Sequence, residues 1–268
     1  MGMKVRSCSV AGQFYPRDPH HLEQLVAGYL GTGDEPGRAA GGVRGIVAPH
    51  AGYPYSGAVA GRAFSSLDPG FGGTFVLVGP SHRGYLSCAS AIPWETPVGI
   101  VDADAAFVGE LRIAVDEFSH QGEHSLEVQM PFIKYRFPRA RIAPVMMGDQ
   151  GPRQAADLAA RIVKAQERTG REIRIVASSD FSHYVPEEVA KKDDLYAIGA
   201  LGTLDTAEFY RRVAERGVSA CGYGPIATLC LAAKAQGATR GELLVYRTSG
   251  DMTGDHEQVV GYAAIAVV

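Results

Sequence analysis

Three histidines of this chain each follow a short apolar run directly. His50 ends the run GIVAPH, His82 ends TFVLVGPSH and His183 ends RIVASSDFSH. Small and turn-forming residues flank each histidine, which lets the backbone bend and turn the imidazole inward. Ligands of open α/β sheets sit outside the carboxyl ends of the strands, so we expect the three rings to share one site. A single histidine after a strand is more often a cap or a surface residue, so this expectation depends on all three together.

Cys221 adds a thiol to these imidazoles. It stands in CGYGP, just before a helical run over 226–235, and the start of a helix lowers the pKa of a thiol and favours thiolate. A buried, inert cysteine fits the sequence equally well. Two imidazoles and a thiolate are ligands suited to Fe(II), Zn(II) or copper, and three protein ligands leave positions open for water or substrate. Beside such a metal, His183, oriented by Asp180, is the candidate general acid or base.

The segment GEHSLE places Glu123, His124 and Glu127 at the start of a predicted helix. Acidic residues are common at helix starts, so the carboxylates have an ordinary explanation there. This explanation does not cover His124, because a positive charge is unfavourable at the start of a helix. We therefore expect His124 to donate to a substrate or to a metal ligand, and we take Glu123 beside it as a candidate substrate-binding residue.

Composition and charge narrow the class of protein. The chain has 268 residues and a net charge of −3, which predicts no basic face for nucleic acid or for an anionic membrane. It contains no run of about 18 apolar residues and no apolar stretch typical of a signal peptide near its start. Four cysteines in a chain of this length do not make a disulfide framework. These features predict a cytoplasmic protein whose ligand is a small molecule or a peptide.

The elements that must position these residues alternate along the chain. Short runs that are apolar on both faces suit buried strands covered by helices on both sides. Helical patterns lie before, between and after them, over 18–30, 56–66, 103–115, 125–136, 154–169, 190–201, 206–216 and 226–235. The alternation predicts an α/β fold: one domain over 1–268, built as a three-layer α/β/α sandwich with a mostly parallel central sheet. The last two apolar runs predict an antiparallel C-terminal strand pair, and the Gly-rich stretch 31–45 predicts a mobile surface loop.

Six motifs occur in order over nearly the whole chain: AGQFYP at 11–16, APHAGY at 48–53, GPSH at 79–82, EHSLE at 123–127, SSDFSH at 178–183 and CGYGPI at 221–226. Together they resemble the Memo family, whose prokaryotic members are also called AmmeMemoRadiSam system protein B. The resemblance implies a fold similar to class III extradiol ring-cleaving dioxygenases, which use non-haem Fe(II). It also implies that His50, His82 and Cys221 match the metal ligands of the family, and that Asp180 and His183 match its other pocket residues.

The resemblance has further consequences for the site and its partners. In the dioxygenases the third ligand is a carboxylate, whereas here it is Cys221, and a thiolate changes the charge and redox behaviour of iron. The eukaryotic member is described as a phosphotyrosine-peptide binder, and the matching pocket residues here are Phe14, Tyr53 and Tyr55. The prokaryotic family name combines Memo with radical SAM and AMMECR-type proteins, so the resemblance implies these two as functional partners.

Three functions remain open from the sequence. The first is a non-haem Fe(II)-dependent oxidoreductase related to the extradiol dioxygenases. The second is a zinc-dependent hydrolase, in which Zn(II) lowers the pKa of a bound water. The third is a non-catalytic binding or scaffold module that recognises an anionic ligand or a phosphopeptide in the same pocket. The resemblance favours Fe(II) as the divalent metal, with copper and Zn(II) as alternatives.

Overall fold

A computed structural model describes residues 4–31 and 42–268 of the chain. The strands are β1 Gly45–Ala48, β2 Thr74–Pro80, β3 Cys88–Ala89, β4 Trp94–Thr96, β5 Gly99–Val101, β6 Arg141–Met147, β7 Ile173–Ser178, β8 His183–Val185, β9 Gly241–Thr248 and β10 Val259–Val267. The α-helices are α1 Pro19–Leu30, α2 Tyr53–Ser65, α3 Ala105–Leu111, α4 Met130–Arg136, α5 Pro152–Thr169, α6 Glu187–Gly199, α7 Thr206–Arg216, α8 Tyr223–Ala235 and α9 Gly250–Thr253. Most of the predicted loop at 31–45 lies outside the described residues.

The central sheet has the strand order β3-β6-β2-β7-β1-β10-β8, and β9 also pairs with β10. Strands β6, β2, β7 and β1 are parallel to one another. Strands β3, β10, β9 and β8 join antiparallel, while β4 and β5 form a separate small pair. The predicted α/β class, with a mostly parallel sheet and an antiparallel C-terminal strand pair, is confirmed.

Helices cover both faces of the sheet, because successive side chains of a buried strand point to opposite sides. In β2, Val76 and Val78 belong to the core that includes residues of α3, α5, α7 and α8. Their neighbours Phe75 and Leu77 belong to a second core, shared with α1, α2 and α4. All four side chains are fully buried. These two cores form the predicted three-layer sandwich.

Local signals in the sequence account for several helix ends. Asp18 caps α1 by accepting a hydrogen bond of 2.8 Å from the amide of His21, and Asp205 caps α7 in the same way. The helix predicted over 103–115 is shorter, because Asp104 caps its start and Arg112 ends it with a left-handed φ of 55°. The helix predicted over 125–136 begins instead with a 3₁₀ turn, Glu127–Gln129, before α4.

The parallel strands bring the predicted site residues to one edge of the sheet. Strands β2 and β1 pair with β7 on either side, so the carboxyl ends of all three lie together. His50 follows β1, His82 follows β2, and Asp180 follows β7. In the part of the chain that the structure describes, no helix is both long and apolar enough to cross a bilayer.

Candidate metal centre

Three imidazole rings meet at this edge: those of His50, His82 and His124. Each ring offers one nitrogen, and the three nitrogens lie within 4.8 Å of one another. The rings of His82 and His124 stack with centroids 4.5 Å apart, and His50 stands edge-on to both. His50 is buried, whereas the side chain of His82 is about one-third exposed. The group therefore has one wall in the protein interior and an opening to solvent.

The proton on the His50 ring is fixed by its neighbours. Its Nδ1 lies 2.9 Å from the Ser178 hydroxyl, and that hydroxyl donates its own proton to the Ser125 carbonyl at 2.6 Å. The Ser178 oxygen also accepts a hydrogen bond from the Gln129 amide. Because the hydroxyl has no second proton to give, Nδ1 of His50 must be the donor. Its Nε2 is then unprotonated and presents a lone pair to the site.

A buried carboxylate fixes the position of the ring proton on His82. Glu123 accepts hydrogen bonds from Nδ1 of His82 at 2.9 Å, from the His82 backbone amide at 2.8 Å and from the Ser125 amide at 2.9 Å. Burial alone would raise the pKa of Glu123, but these hydrogen bonds prevail and lower the pKa to about 2. The ionised carboxylate accepts only, so Nδ1 of His82 carries the proton and Nε2 is free to bind a metal.

Burial and mutual repulsion keep the inner rings neutral. Burial lowers the pKa of His50 well below its ordinary value, and the neighbouring His124 and His82 lower it further. The pKa of His124 falls to about 4, through burial first and then through His82. Neutral imidazole is the form that ligates metals. His50 and His124 are therefore in their ligating form at neutral pH.

Cys221 brings sulfur to the same place. Its Sγ lies 3.1 Å from Nε2 of His50 and accepts a hydrogen bond of 3.3 Å from the Asp180 amide. The pKa of the thiol is raised, through burial first and then through the Asp180 carboxylate. This direction is opposite to our prediction from the position of Cys221 before α8. Desolvation and a nearby negative charge outweigh the helix dipole, whose effect is confined to the helix end.

Asp180 and His183 lie beside the group without joining the three rings. The Asp180 carboxylate accepts the His50 backbone amide at 2.8 Å, and its pKa is raised to about 6, chiefly by burial and against the opposing effect of that hydrogen bond. His183 donates its backbone amide to the Ser219 hydroxyl, and its Nδ1 lies 3.0 Å from the Ser219 carbonyl. A carbonyl only accepts, so Nδ1 carries the proton and Nε2 of His183 is free.

The three predicted aromatic pocket residues have different surroundings. Phe14 packs on His124 with ring centroids 4.6 Å apart, and Tyr55 in the first turn of α2 is 46% exposed. Tyr53 is buried, and its hydroxyl donates to the Val128 carbonyl at 2.8 Å. Phe14 thus lies on the His124 side of the group, Tyr55 is exposed to solvent, and Tyr53 is buried behind them.

Sequence reasoning missed two residues that prepare the site. Ser178 and Gln129 set the proton on His50, yet nothing in their local sequence indicates this role, because it depends on contacts across 49 residues or more. It also missed the support of the loop that carries His183. There the buried Asp194 accepts the Ser182 hydroxyl at 2.6 Å and the Tyr246 hydroxyl at 2.6 Å.

The donor set fits a divalent metal. Three imidazole rings, two of them with an Nδ1 proton fixed by a hydrogen bond, converge beside a thiol, and such N and S ligands suit Zn(II), Fe(II) and copper. The fold and this edge define the class: an α/β protein with a histidine-rich candidate metal centre at the carboxyl ends of its parallel strands.

Comparison with known proteins supplies the family. The model of the Memo-like protein family matches residues 6–266. MEMO1 family proteins of Methanothermobacter thermautotrophicus and Methanosarcina barkeri are each 41% identical over 98% of this chain and their own full length. One of Methanococcoides burtonii is 43% identical with the same coverage. The chain belongs to the Memo-like family, which confirms the resemblance seen in its motifs.

Proposed function

We propose that this protein is a non-haem Fe(II)-dependent oxidoreductase, with its metal at the edge where His50, His82, His124 and Cys221 meet. One observation carries the proposal. Nε2 of His50, left unprotonated by the Ser178 contact, points to a group that includes two further imidazoles and a thiol 3.1 Å away. A site that only needed hydrogen bonds would not require several neutral nitrogen ligands to converge.

Four side chains are candidates for the metal ligands. Besides the predicted His50, His82 and Cys221, His124 is also close enough to bind the metal. His124 shares the nitrogen cluster, and Cys221 lies against His50. A metal held by three of these four side chains keeps positions open for a substrate. Bound Fe(II) would supply redox chemistry and polarise a substrate held beside it.

The other residues have roles that do not depend on the metal. Nδ1 of His183 donates a hydrogen bond to the Ser219 carbonyl. Its free Nε2 can therefore accept a proton from a bound substrate and return it. The Phe14 ring covers His124 and keeps water from that side of the group. Tyr55 is exposed at the start of α2 and is placed to contact a small molecule or a peptide side chain.

The test is metal content and oxygen consumption. The protein is purified without oxygen, loaded with Fe(II), and assayed for bound iron and for oxygen uptake with catechol-like and other aromatic substrates. We expect His50→Ala and Cys221→Ala each to lower iron affinity by at least about tenfold. His21→Ala on the exposed surface of α1 and Cys8→Ala are the matched controls and should bind iron like the parent. Equal iron binding by all four variants would refute the proposal.

A zinc-dependent hydrolase is the second candidate, because the same nitrogen and sulfur donors suit Zn(II). Under this alternative the loaded protein hydrolyses an ester or phosphoester with Zn(II) and consumes no oxygen with Fe(II). A His124→Ala variant helps in either case, since its effect on affinity, compared with that of Cys221→Ala, shows which side chain is the third ligand. Ligand binding that survives a chelator and needs neither metal would instead indicate the non-catalytic binding module.

A further inference from the structure

A cavity lies away from the candidate metal centre, between the edge of the sheet and α5. It is a cleft of about 330 Å³. Its floor is apolar, formed by Val145 and Met147 of β6, Leu158 of α5 and Ile113 after α3. Val145 and Met147 are fully buried as side chains of the sheet. None of the residues that line it belongs to the group around His50.

The rim of this cleft carries one positive charge without a partner. Arg161 lines it too, but its guanidinium is paired with Asp157 at 2.7 Å and donates to the Arg112 carbonyl at 2.7 Å. Arg153 is exposed in the first turn of α5, and it has no ion pair within the described residues 4–31 and 42–268. The start of α5 has no side-chain cap, but the Asp149 carboxylate accepts the Gly151 amide there at 2.9 Å, so Arg153 is the group that this rim offers to an anion.

The walls of the cleft are held by contacts of their own. The Gly148 amide at the end of β6 donates to the Ser87 hydroxyl at 3.0 Å. Gly148 also packs so closely that an added Cβ would collide with the Tyr85 carbonyl oxygen. On the other side, the Arg161 contacts tie α5 to the end of α3. The cleft is therefore formed before any ligand arrives, as is usual for small-molecule sites.

We propose that this cleft is a second ligand site, which takes a small amphipathic monocarboxylate. Its hydrocarbon part would lie against Ile113, the partly exposed aliphatic side chain of the lining, above the buried Val145 and Leu158, and its carboxylate would pair with Arg153. The planar guanidinium matches a carboxylate with two parallel hydrogen bonds. Asp157 on the same rim repels a second negative charge, which disfavours phosphate monoesters and dicarboxylates. The volume is at the low end of the range for ligand pockets, about 300–1,000 Å³, and so fits a small molecule.

The experiment uses the full chain with octanoate as the probe and 1-octanol as its uncharged counterpart. Binding is followed by the methyl NMR signals of Ile113, Val145 and Leu158, which report on this cleft alone. We expect saturable shifts with octanoate. Arg153→Gln should weaken octanoate binding about tenfold, because it removes a charge-assisted hydrogen-bonded pair, and should leave octanol binding unchanged. Arg168→Gln, near the other end of α5, is the matched control and should change neither.

Two further variants show whether the probes bind in this cleft or at the metal centre. Ile113→Trp fills the cleft and should abolish the shifts with both probes. His50→Ala should leave them intact, because it affects only a carboxylate bound at the metal centre. The proposal is overturned if no methyl signal shifts up to about 5 mM octanoate, which corresponds to a negligible affinity. It is equally overturned if Arg153→Gln and Arg168→Gln bind octanoate alike.

Discussion

The unprotonated ring nitrogen of His50 is determined by a serine. The Ser178 hydroxyl donates a hydrogen bond to the Ser125 carbonyl and accepts one from Nδ1 of His50. Hydrogen bonds of this kind, one shell behind a ligand, fix the tautomer and orientation of a metal-binding imidazole. Without the acceptor, the ring can turn or carry its proton on Nε2, and either change removes the lone pair from the site.

Ser178→Ala is therefore expected to weaken metal binding without touching the metal ligands. Loss of such a partner typically lowers metal affinity about 10- to 100-fold. Ser66→Ala is the matched control, since Ser66 is also buried but donates to the Ala63 carbonyl far from the site. The measurement is competition with a chelator of known affinity. Equal affinities for the two variants would show that Ser178 does not govern the ring.

The sequence located some residues of the site and misjudged the surroundings of another. His50 and His82 were found because a residue that follows a parallel strand must lie at the carboxyl edge of the sheet. The pKa direction of Cys221 was wrong, since the burial that raises it and the contact with Asp180 arise from residues 41 positions away in the sequence. The place of His124 within the ring cluster was equally hidden, because it depends on the 3₁₀ turn that follows it.

At the scale of elements, long periodic segments were predicted well and short strands were missed. The helix predicted over 206–216 coincides with α7, because its cap and its polar and apolar faces are local properties. Strands β3, β4, β5 and β8 are two or three residues long. Such segments have too few residues for a period to be recognised and exist only through pairing with distant strands.

The N-terminal segment 6–15 is fastened to the 3₁₀ turn by one carboxylate. The buried Glu127 accepts hydrogen bonds from the amides of Ser9 and Val10, each at 2.8 Å, and from the Tyr15 hydroxyl at 2.8 Å. It also pairs with the buried Arg6 at 2.6 Å. This segment carries Phe14, whose ring lies on His124. The tether therefore connects the stability of the fold to the wall of the site.

Glu127→Gln is expected to lower the free energy of unfolding by about 3–5 kcal/mol, because it leaves the buried charge of Arg6 without its counter-charge. The amide of the new side chain would also face backbone donors. Urea denaturation measures the change, and hydrogen exchange at the Ser9 and Val10 amides should speed up locally.

Glu23→Gln is the control for this variant, since Glu23 is exposed on α1 and its replacement should change stability by less than about 0.5 kcal/mol. If Glu127→Gln were as mild as the control, the carboxylate would not be what holds segment 6–15.

At the scale of the whole molecule, the chain buries a histidine outside the candidate metal centre. His120 is fully buried against Trp94, with ring centroids 5.6 Å apart. Neither of its ring nitrogens has a hydrogen-bond partner among the described residues, while its backbone carbonyl accepts two hydrogen bonds from Arg6. Burial, and then the charge of Arg6, lowers the pKa of His120 to about 4. The folded protein thus keeps this ring neutral in mild acid.

The lower pKa of His120 in the folded protein than in the unfolded chain predicts how the stability of the protein depends on pH. The unfolded chain takes up a proton at His120 near pH 6.5, whereas the folded chain does so only near pH 4. Between these values the unfolded state binds more protons, so the contribution of His120 to stability is complete above about pH 6.5 and is lost as the pH falls. The loss on going from about pH 7.5 to pH 5 is about 2 kcal/mol.

The variant His120→Leu removes the titrating ring and both polar atoms without partners, so it should cost little at neutral pH. The free energy of unfolding, measured with urea from about pH 5 to 7.5, should therefore fall less steeply for the variant than for the parent. The difference between the two curves isolates His120, because the other buried histidines contribute equally to both. Parallel curves would contradict the prediction. They would mean that the His120 ring is protonated in the folded protein as readily as in the unfolded chain.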